Sequence, residues 1–285
     1  MGKVLITDCG ATKCEWAIVE HGEVKYVESD GFNPNVYKEE DLIEKLRKTW
    51  IDLGFNASPI DAIYFFGAGC GTQYGHDLVY KSLSVCSAGS KIEVSNDIKG
   101  TALALYTQDP IVACIMGTGS ASVYFDGKEV HNLRESLGWT IGDEGSGGAI
   151  GKLVLRNVFY ELWDKEIVAD FKLEYPGINV ESYLKEVRSS LTPNKFIASF
   201  AKFAKKHLGN EVVKKEVMGE IEKFIEWQVA PFCRERGCKA SFSGSVAYYF
   251  EDLLREICGE KGIEIEKLIA KPLPELVKVF SIGSK

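Results

Sequence analysis

The sequence predicts an α/β protein of two similar lobes, and two observations carry that prediction. The stretch VLITDCGATKCEWAIV, residues 4–19, runs as an apolar strand into Asp8, turns through Gly10, Ala11 and Thr12, and returns as a second strand bearing Trp16, Ile18 and Val19. From Ile111, IVACIMGTGSASVYFDGKEV repeats the order: apolar strand, small Gly/Thr/Ser tip, returning strand, Gly turn and third strand. The first copy has His21-Gly22 before Val24 where the second has Asp126-Gly127 before Val130. Two copies of one supersecondary unit imply two lobes, each aiming a hairpin at a shared cleft, with small tip residues that let backbone N–H groups approach a phosphate. An acid at a strand end suits the water shell of a metal, so these residue types fit one nucleotide with Mg2+ between the lobes. Taken alone, Asp8 serves equally well as a turn residue in an ordinary hairpin.

The 285 residues suffice for one large or two ordinary domains. With 34 Lys+Arg against 41 Asp+Glu, a net charge of −7, the chain is not built to grip nucleic acid through counterion release. A small anionic ligand would then need local backbone amides and a metal. The eight cysteines are irregularly spaced, and Cys9, Cys70 and Cys114 lie in or beside apolar segments, which reads as reduced thiols in a cytosolic protein. Lys3 is followed by only a short apolar strand before Asp8, unlike a signal peptide, and no apolar run approaches the ~20 residues that span a bilayer. A cytoplasmic protein without membrane contact is expected, and a homodimer is compatible with the sequence.

In chain order, strands around Val4, Trp16 and Val24 lead to DGFNPNVY, where Asn33 and Asn35 flank a proline as turn formers or as ligand contacts. Leu42, Leu46, Trp50 and Leu53 recur at helical spacing and Gly54 stops the helix. Ala62 to Phe66 is a buried strand ending in Gly67, Gly69 and Gly71, a set that imitates a dinucleotide fingerprint without its full spacing and is read as close packing or a substrate loop. His76 opens a short helix as a cap or surface residue. The strand Lys91 to Ser95 then places Asp97 at a strand-to-helix junction, where an acid either caps the helix Thr101 to Tyr106 or stands at a cleft floor as a general base. The context of the hairpins favours the base.

After the second hairpin comes the densest glycine stretch, LGWTIGDEGSGGAIG. Its Gly142-Asp143-Glu144-Gly145-Ser146 is expected to form a helix N-terminus with the acids in its first turn, Asp143 being either an N-cap or, beside Trp139, a partner for the hydroxyls of a polyhydroxylated ligand. Helices follow over Val180 to Leu191, Phe196 to Leu208 and Val212 to Phe232, with Pro231 ending or kinking the last. The stripe Phe196, Phe200, Phe203 reads as core. Cys233 and Cys238 lack the paired spacing of a zinc site. A strand then enters the turn Ser243-Gly244-Ser245 ahead of a helix, a place for an adenosine or its phosphates. A strand near Ile263 to Ile265 and a helix from Pro274 to Phe280 close the chain.

Together, Asp8-Cys9-Gly10-Ala11-Thr12, Gly117-Thr118-Gly119-Ser120, Gly138-Trp139 with Gly142-Asp143-Glu144-Gly145-Ser146, and Ser243-Gly244-Ser245-Val246-Ala247, in that order, resemble the actin/hexokinase/heat-shock ATPase superfamily. More narrowly they resemble the N-acetylglucosamine kinase-like branch of the BadF/BadG/BcrA/BcrD-type ATPases, over nearly the whole chain. The resemblance implies two ribonuclease-H-like lobes around a nucleotide cleft: residues 1–108, and residues 109–285 with a helical insertion and a last helix able to return to the first lobe.

It further implies ATP and Mg2+ as cofactors and transfer of the γ-phosphate to a hydroxyl of an amino sugar, with N-acetylglucosamine foremost. On the nucleotide side it assigns Asp8, Gly10, Ala11, Thr12 and Lys13, with Asp8 serving the metal; Gly117, Thr118, Gly119 and Ser120 as the second phosphate loop; and Gly244, Ser245, Val246 and Ala247 at the adenosine. Asp97 matches the catalytic base. Asn33, Asp97, Thr118, Gly138, Trp139 and Asp143 fall where the sugar is held. The chain departs from its relatives at Cys9 and Lys13, where they are richer in Gly and Thr, and at Ser245, where many have Gly-Gly. Three rivals share the fold: an iron-sulfur ATPase activator of a radical dehydratase, whose second loop usually reads Gly-Gly-Gln-Asp; a sugar kinase of the repressor-linked family, whose clustered zinc cysteine motif the sequence lacks; and a non-catalytic sugar or nucleotide sensor.

Overall fold

The computed structural model describes residues 2–10, 13–190 and 192–282, which form two compact units: Met1–Ala104 with Lys271–Lys285, and Leu105–Ala270. Ala11 and Thr12 of the first hairpin tip lie outside the described residues.

In the first unit the antiparallel strands β1 (Val4–Cys9), β2 (Lys13–Glu20) and β3 (Glu23–Asp30) are followed by helix α1 (Glu39–Asp52), strand β4 (Ala62–Gly67), helix α2 (Gln73–Cys86), strand β5 (Lys91–Asn96) and helix α3 (Asp97–Leu105). The sheet order is β3-β2-β1-β4-β5, with β1, β4 and β5 parallel. Edge strand β3 is mostly exposed and rich in charge, which discourages pairing with another chain.

One face of this sheet carries an aromatic core. The fully buried Trp16 ring lies edge-on to Phe32 and Trp50 at centroid distances of 6.0 and 6.1 Å and 5.2 Å from Phe55, and its Nε1 donates to Ser29 Oγ at 2.9 Å. Leu42, Leu46 and Trp50 supply the buried stripe of α1, and Gly54 ends that segment at φ +70°, a left-handed conformation that glycine adopts without strain. Thr72 rather than His76 caps α2, its Oγ1 accepting from Gly75 N at 3.1 Å. His76 sits half-buried in the first turn, 2.9 Å from Asp77.

The second unit repeats the plan. Strands β6 (Ile111–Met116), β7 (Ser120–Phe125) and β8 (Val130–Asn132) are antiparallel, and β9 (Lys239–Ser243) and β10 (Ile265–Ile269) add in parallel, giving the order β10-β9-β6-β7-β8. Read from its antiparallel edge, each sheet has the order third, second, first, fourth, fifth, so the duplication seen in the hairpins extends to both sheets. This is the ribonuclease-H-like topology.

Between β8 and β9 the chain forms α4 (Gly138–Ile141), α5 (Gly147–Phe159), α6 (Lys165–Glu174), α7 (Val180–Ser189), α8 (Pro193–Ala198), α9 (Ala201–Lys206), α10 (Glu211–Phe224) and α11 (Ala230–Arg236). The expected helix Phe196 to Leu208 is broken at Ser199 and Phe200. The expected helix Val212 to Phe232 is interrupted by a π-helical turn at Ile225–Val229, just ahead of Pro231, whose missing N–H cannot continue an α-helical ladder. Helix α6 buries Ile167, Val168 and Phe171. Phe200 and Phe203 are buried against Phe171, while Phe196 packs at the margin. Helices α12 (Ser245–Tyr249) and α13 (Glu251–Glu260) flank β9 and β10, and α14 (Leu273–Ile282) belongs to the first unit, where Phe280 stacks on Tyr64 at 4.1 Å.

All eight cysteines are free. Among the described residues, no helix is long and apolar enough to cross a membrane.

Candidate functional site

Each unit gathers its singled-out residues at the ends of its parallel strands, where the sheet hands the chain to loops and backbone groups are unpaired. In the first unit Asp8 stands near the end of β1, Gly67 to Cys70 follow β4, and Asn96 and Asp97 end β5. The loops are tied together: Ala68 N donates to Cys9 O at 2.8 Å, and Phe66 N to Thr7 Oγ1 at 3.2 Å. The glycines after β4 are explained by crowding. A Cβ on Gly69, which also has φ +84°, would lie 2.5 Å from Asn33 Oδ1, and one on Gly67 would lie 2.4 Å from the Phe65 ring. Gly71 approaches Asn96. This loop therefore joins Asn33 to the Asn96-Asp97 junction, which is the close-packing alternative and not a dinucleotide fingerprint. Asn33 Oδ1 accepts from Asn35 N at 3.0 Å, so the turn-forming role is real and leaves the side-chain amide N–H groups for other work.

The junction separates the two roles open to Asp97. Asn96 Oδ1 accepts from Lys99 N at 3.0 Å, making Asn96 the residue that caps α3. Among the described residues, the Asp97 carboxylate accepts from nearby backbone, Ile98 N at 2.9 Å and its own N–H. Burial raises the Asp97 pKa, opposed by those two N–H groups. Burial also pushes Asp8 up to about 7, reinforced by the negative charges of Asp97 and Glu15 and opposed by Lys271.

Glu15, paired with Asp8 in the β1–β2 register, receives Lys13 at 3.0 Å and Lys271 at 2.5 Å. Despite the upward push of burial, those two ammonium groups hold its pKa below the usual value. Lys13, expected at the nucleotide, is also paired with Glu28 at 2.6 Å. Gly10 lies at the described edge of the tip. Lys271, just ahead of the last helix, had no local signal in the sequence that could reveal its proximity to Asp8.

The second unit brings three motifs together. Gly147 N donates to Gly117 O at 2.8 Å and Gly148 N to Thr118 O at 3.0 Å, while Ser120 Oγ donates to Glu144 O at 2.7 Å. A Cβ on Gly244, at φ +118°, would lie 2.4 Å from Met116 O, so only glycine lets that turn approach the hairpin. These contacts correct one expectation. Ser146 is the N-cap of α5, accepting from Ala149 N at 3.2 Å, and the first amides of that helix are spent on Ser146 and the hairpin carbonyls. The α5 N-terminus anchors the second loop and does not offer free N–H groups to an anion, and the acids precede the helix.

Asp143 is instead held in the left-handed region at φ +58°, an uncommon conformation for a residue with a side chain. Its carboxylate lies over Gly119, where a Cβ would come within 2.6 Å of Oδ2, and it accepts from the Ser120 N–H. Burial raises its pKa; the Ser120 N–H and the Lys152 ammonium oppose that shift, and Glu144 adds to it. Lys152 of α5 also donates from Nζ to Trp139 O at 2.9 Å, pinning the half-buried Trp139 beside Asp143. Gly138 has φ +69° at the start of α4. Thr118, Trp139 and Asp143 thus lie on loops that the hairpin and α5 tie together. At the β9 turn, Val246 and Ala247 send their side chains into the core, leaving Ser245 exposed.

No model of a known protein family matches the chain, and neither does any curated protein. Solved structures do. A candidate N-acetylglucosamine kinase from Porphyromonas gingivalis is similar over 99% of this chain and 100% of its own, with a TM-score of 0.92 and 29% sequence identity. A candidate N-acetylglucosamine kinase from Chromobacterium violaceum matches with a TM-score of 0.70 at 12% identity, covering 98% of this chain and 99% of its own. A candidate sugar kinase from Cytophaga hutchinsonii gives 0.54 at 11%, covering 98% of this chain and 100% of its own. The last two speak for the fold alone.

Proposed function

From a chain that has the actin-like ATPase fold and resembles an N-acetylglucosamine kinase-like protein along its full length, we propose a kinase that transfers the γ-phosphate of ATP to a hydroxyl of an amino sugar, N-acetylglucosamine foremost. The observation that carries this reading is Asp97: a carboxylate at the end of a parallel strand, relieved of helix capping by Asn96 and close enough to Asp8 to raise its pKa.

The residues fit the cofactors. Asp8 and Asp97 are hard oxygen donors whose like charges call for a cation, and among the described residues no cluster of three His, Cys, Asp or Glu side chains could cage a metal. That donor set suits Mg2+, which keeps waters and phosphate oxygens as most of its ligands. Asp8 would hold it through its water shell, and the Gly117 to Ser120 and Gly244 turns would take the nucleotide. Bound MgATP supplies the phosphoryl group and neutralises the charge that develops on it.

The chain's own residues do the remainder. Asp97 orients the acceptor hydroxyl and takes its proton, Asp143 and Asn33 accept and donate hydrogen bonds to the other sugar groups, and Trp139 offers a ring face. Assays with ATP, Mg2+ and a panel of N-acetylglucosamine, glucosamine and N-acetylmuramic acid test the reading. Phosphorylation of at least one is expected. Binding without phosphorylation would make the protein a sensor.

A positioning role for Lys152 follows from its bond to the Trp139 carbonyl. Lys152→Met should raise the sugar KM about tenfold while leaving kcat and the ATP KM within about twofold, because the loss falls on a contact made in ground and transition states alike. Steady-state kinetics with each substrate varied in turn will check this, and an unchanged sugar KM would refute it.

A further inference from the structure

The cavity that reaches Asp143 does not end there. Ser120, Gly142 and Asp143 line a narrow space of about 40 Å³ that shares Arg134, Glu135, Leu137, Glu144 and Gln228 with a wider groove of about 620 Å³. That volume lies within the ~300–1,000 Å³ usual for small-molecule sites. Both walls are built from described residues of the second unit.

One wall is the π-helical turn. Its Gln228 carbonyl accepts from Ser122 Oγ at 2.6 Å, which fixes the turn to β7, and Trp227, 47% exposed, lines the groove. The opposite wall is the segment before and through α4, where Leu137 and Ile141 are 57% and 75% exposed and Arg134 lies over the Phe232 ring at 5.7 Å. The fold spends an irregular helical turn to display an indole that the core does not use, and π turns of this kind gather at functional sites.

We infer that this groove is a subsite for a second, uncharged or cationic saccharide unit attached to the sugar held at Asp143, so that the protein prefers an amino-sugar disaccharide to the monosaccharide. The inference rests on the amino-sugar reading above. An exposed indole flanked by the Gln228 amide and by carboxylates is the chemistry that holds a pyranose, with its apolar face on the ring and its hydroxyls on the polar rim. The charge selects the class further: among the described residues lining the groove, Glu135, Glu144 and Glu226 stand against the single cation Arg134, and although Glu226 also lies 4.0 Å from Lys261, the balance repels a carboxylate-bearing substituent.

The test is calorimetric titration of wild type and Trp227→Ala, without nucleotide, with N-acetylglucosamine and with its β-1,4-linked disaccharide. The disaccharide should bind wild type about tenfold more tightly, and Trp227→Ala should abolish that advantage while leaving the monosaccharide Kd unchanged. Equal affinities in wild type, or equal weakening of both sugars in the variant, would overturn the subsite. So would a dimer of the wild type that Trp227→Ala dissociates in sedimentation, since the indole would then serve a second copy. Binding needs no phosphoryl transfer, so disaccharide preference without kinase activity removes the kinase reading and keeps the subsite, whereas kinase activity with no preference does the reverse. Failure of both sugars to bind overturns the subsite and takes N-acetylglucosamine out of the proposed substrates.

Discussion

Asp97→Asn should lower sugar phosphorylation by at least about a hundredfold while ATP binding stays near wild type. Removal of a general base costs on the order of 10²–10⁴ in rate, and asparagine keeps the size of the side chain and one acceptor oxygen for the Ile98 N–H. The fold should tolerate the change because Asn96, not Asp97, receives the Lys99 N–H that caps α3. Single-turnover phosphorylation alongside nucleotide titration separates the effects. Wild-type rates in the variant would strip the carboxylate of its proposed role.

Asp8→Asn should act in opposite directions on stability and on chemistry. Burial raises the Asp8 pKa from 3.8 to about 7. The folded chain therefore holds this proton at a pH where the unfolded chain has released it, and the stability it provides falls as pH rises from the unfolded value through about 7. Three pKa units correspond to roughly 4 kcal/mol, a ceiling for the penalty of the ionised group above that range. Asparagine carries no such penalty. The ligand-free variant should thus unfold at higher denaturant concentration than wild type at pH 8, with the two converging toward pH 4, while the Mg2+-dependent phosphorylation rate drops and sugar binding without nucleotide survives. Urea unfolding across that pH range reads the first effect, and magnesium titration of the rate reads the second. Loss of sugar binding together with stability would indicate a misfolded variant instead.

These two residues also divide what was legible in the sequence from what was not. The strand periodicities, the two hairpins with their small tips, the stop at Gly54 and the position of Asp97 after β5 are local patterns, written in residues adjacent along the chain. They were sufficient to predict the α/β class, the duplicated lobes and the family resemblance. The motifs around Gly117, Asp143 and Gly244 were legible as loops, but not what their amides do: only the packing of α5 against the second hairpin decided that Gly147 and Gly148 donate to carbonyls and are not free for an anion.

Other roles required contacts between residues far apart in sequence. Lys271 meets Glu15 across 256 positions and thereby moderates the charge beside Asp8. The capping choice between Asn96 and Asp97 was settled by which side chain the Lys99 N–H reaches in the folded chain. The π turn that exposes Trp227 followed from Pro231, whose effect as a stop or a kink the sequence had left undecided. Hydrogen-bond competition and long-range charge are properties of the folded arrangement, so local composition could name the participants in each motif but only the tertiary structure assigned their partners.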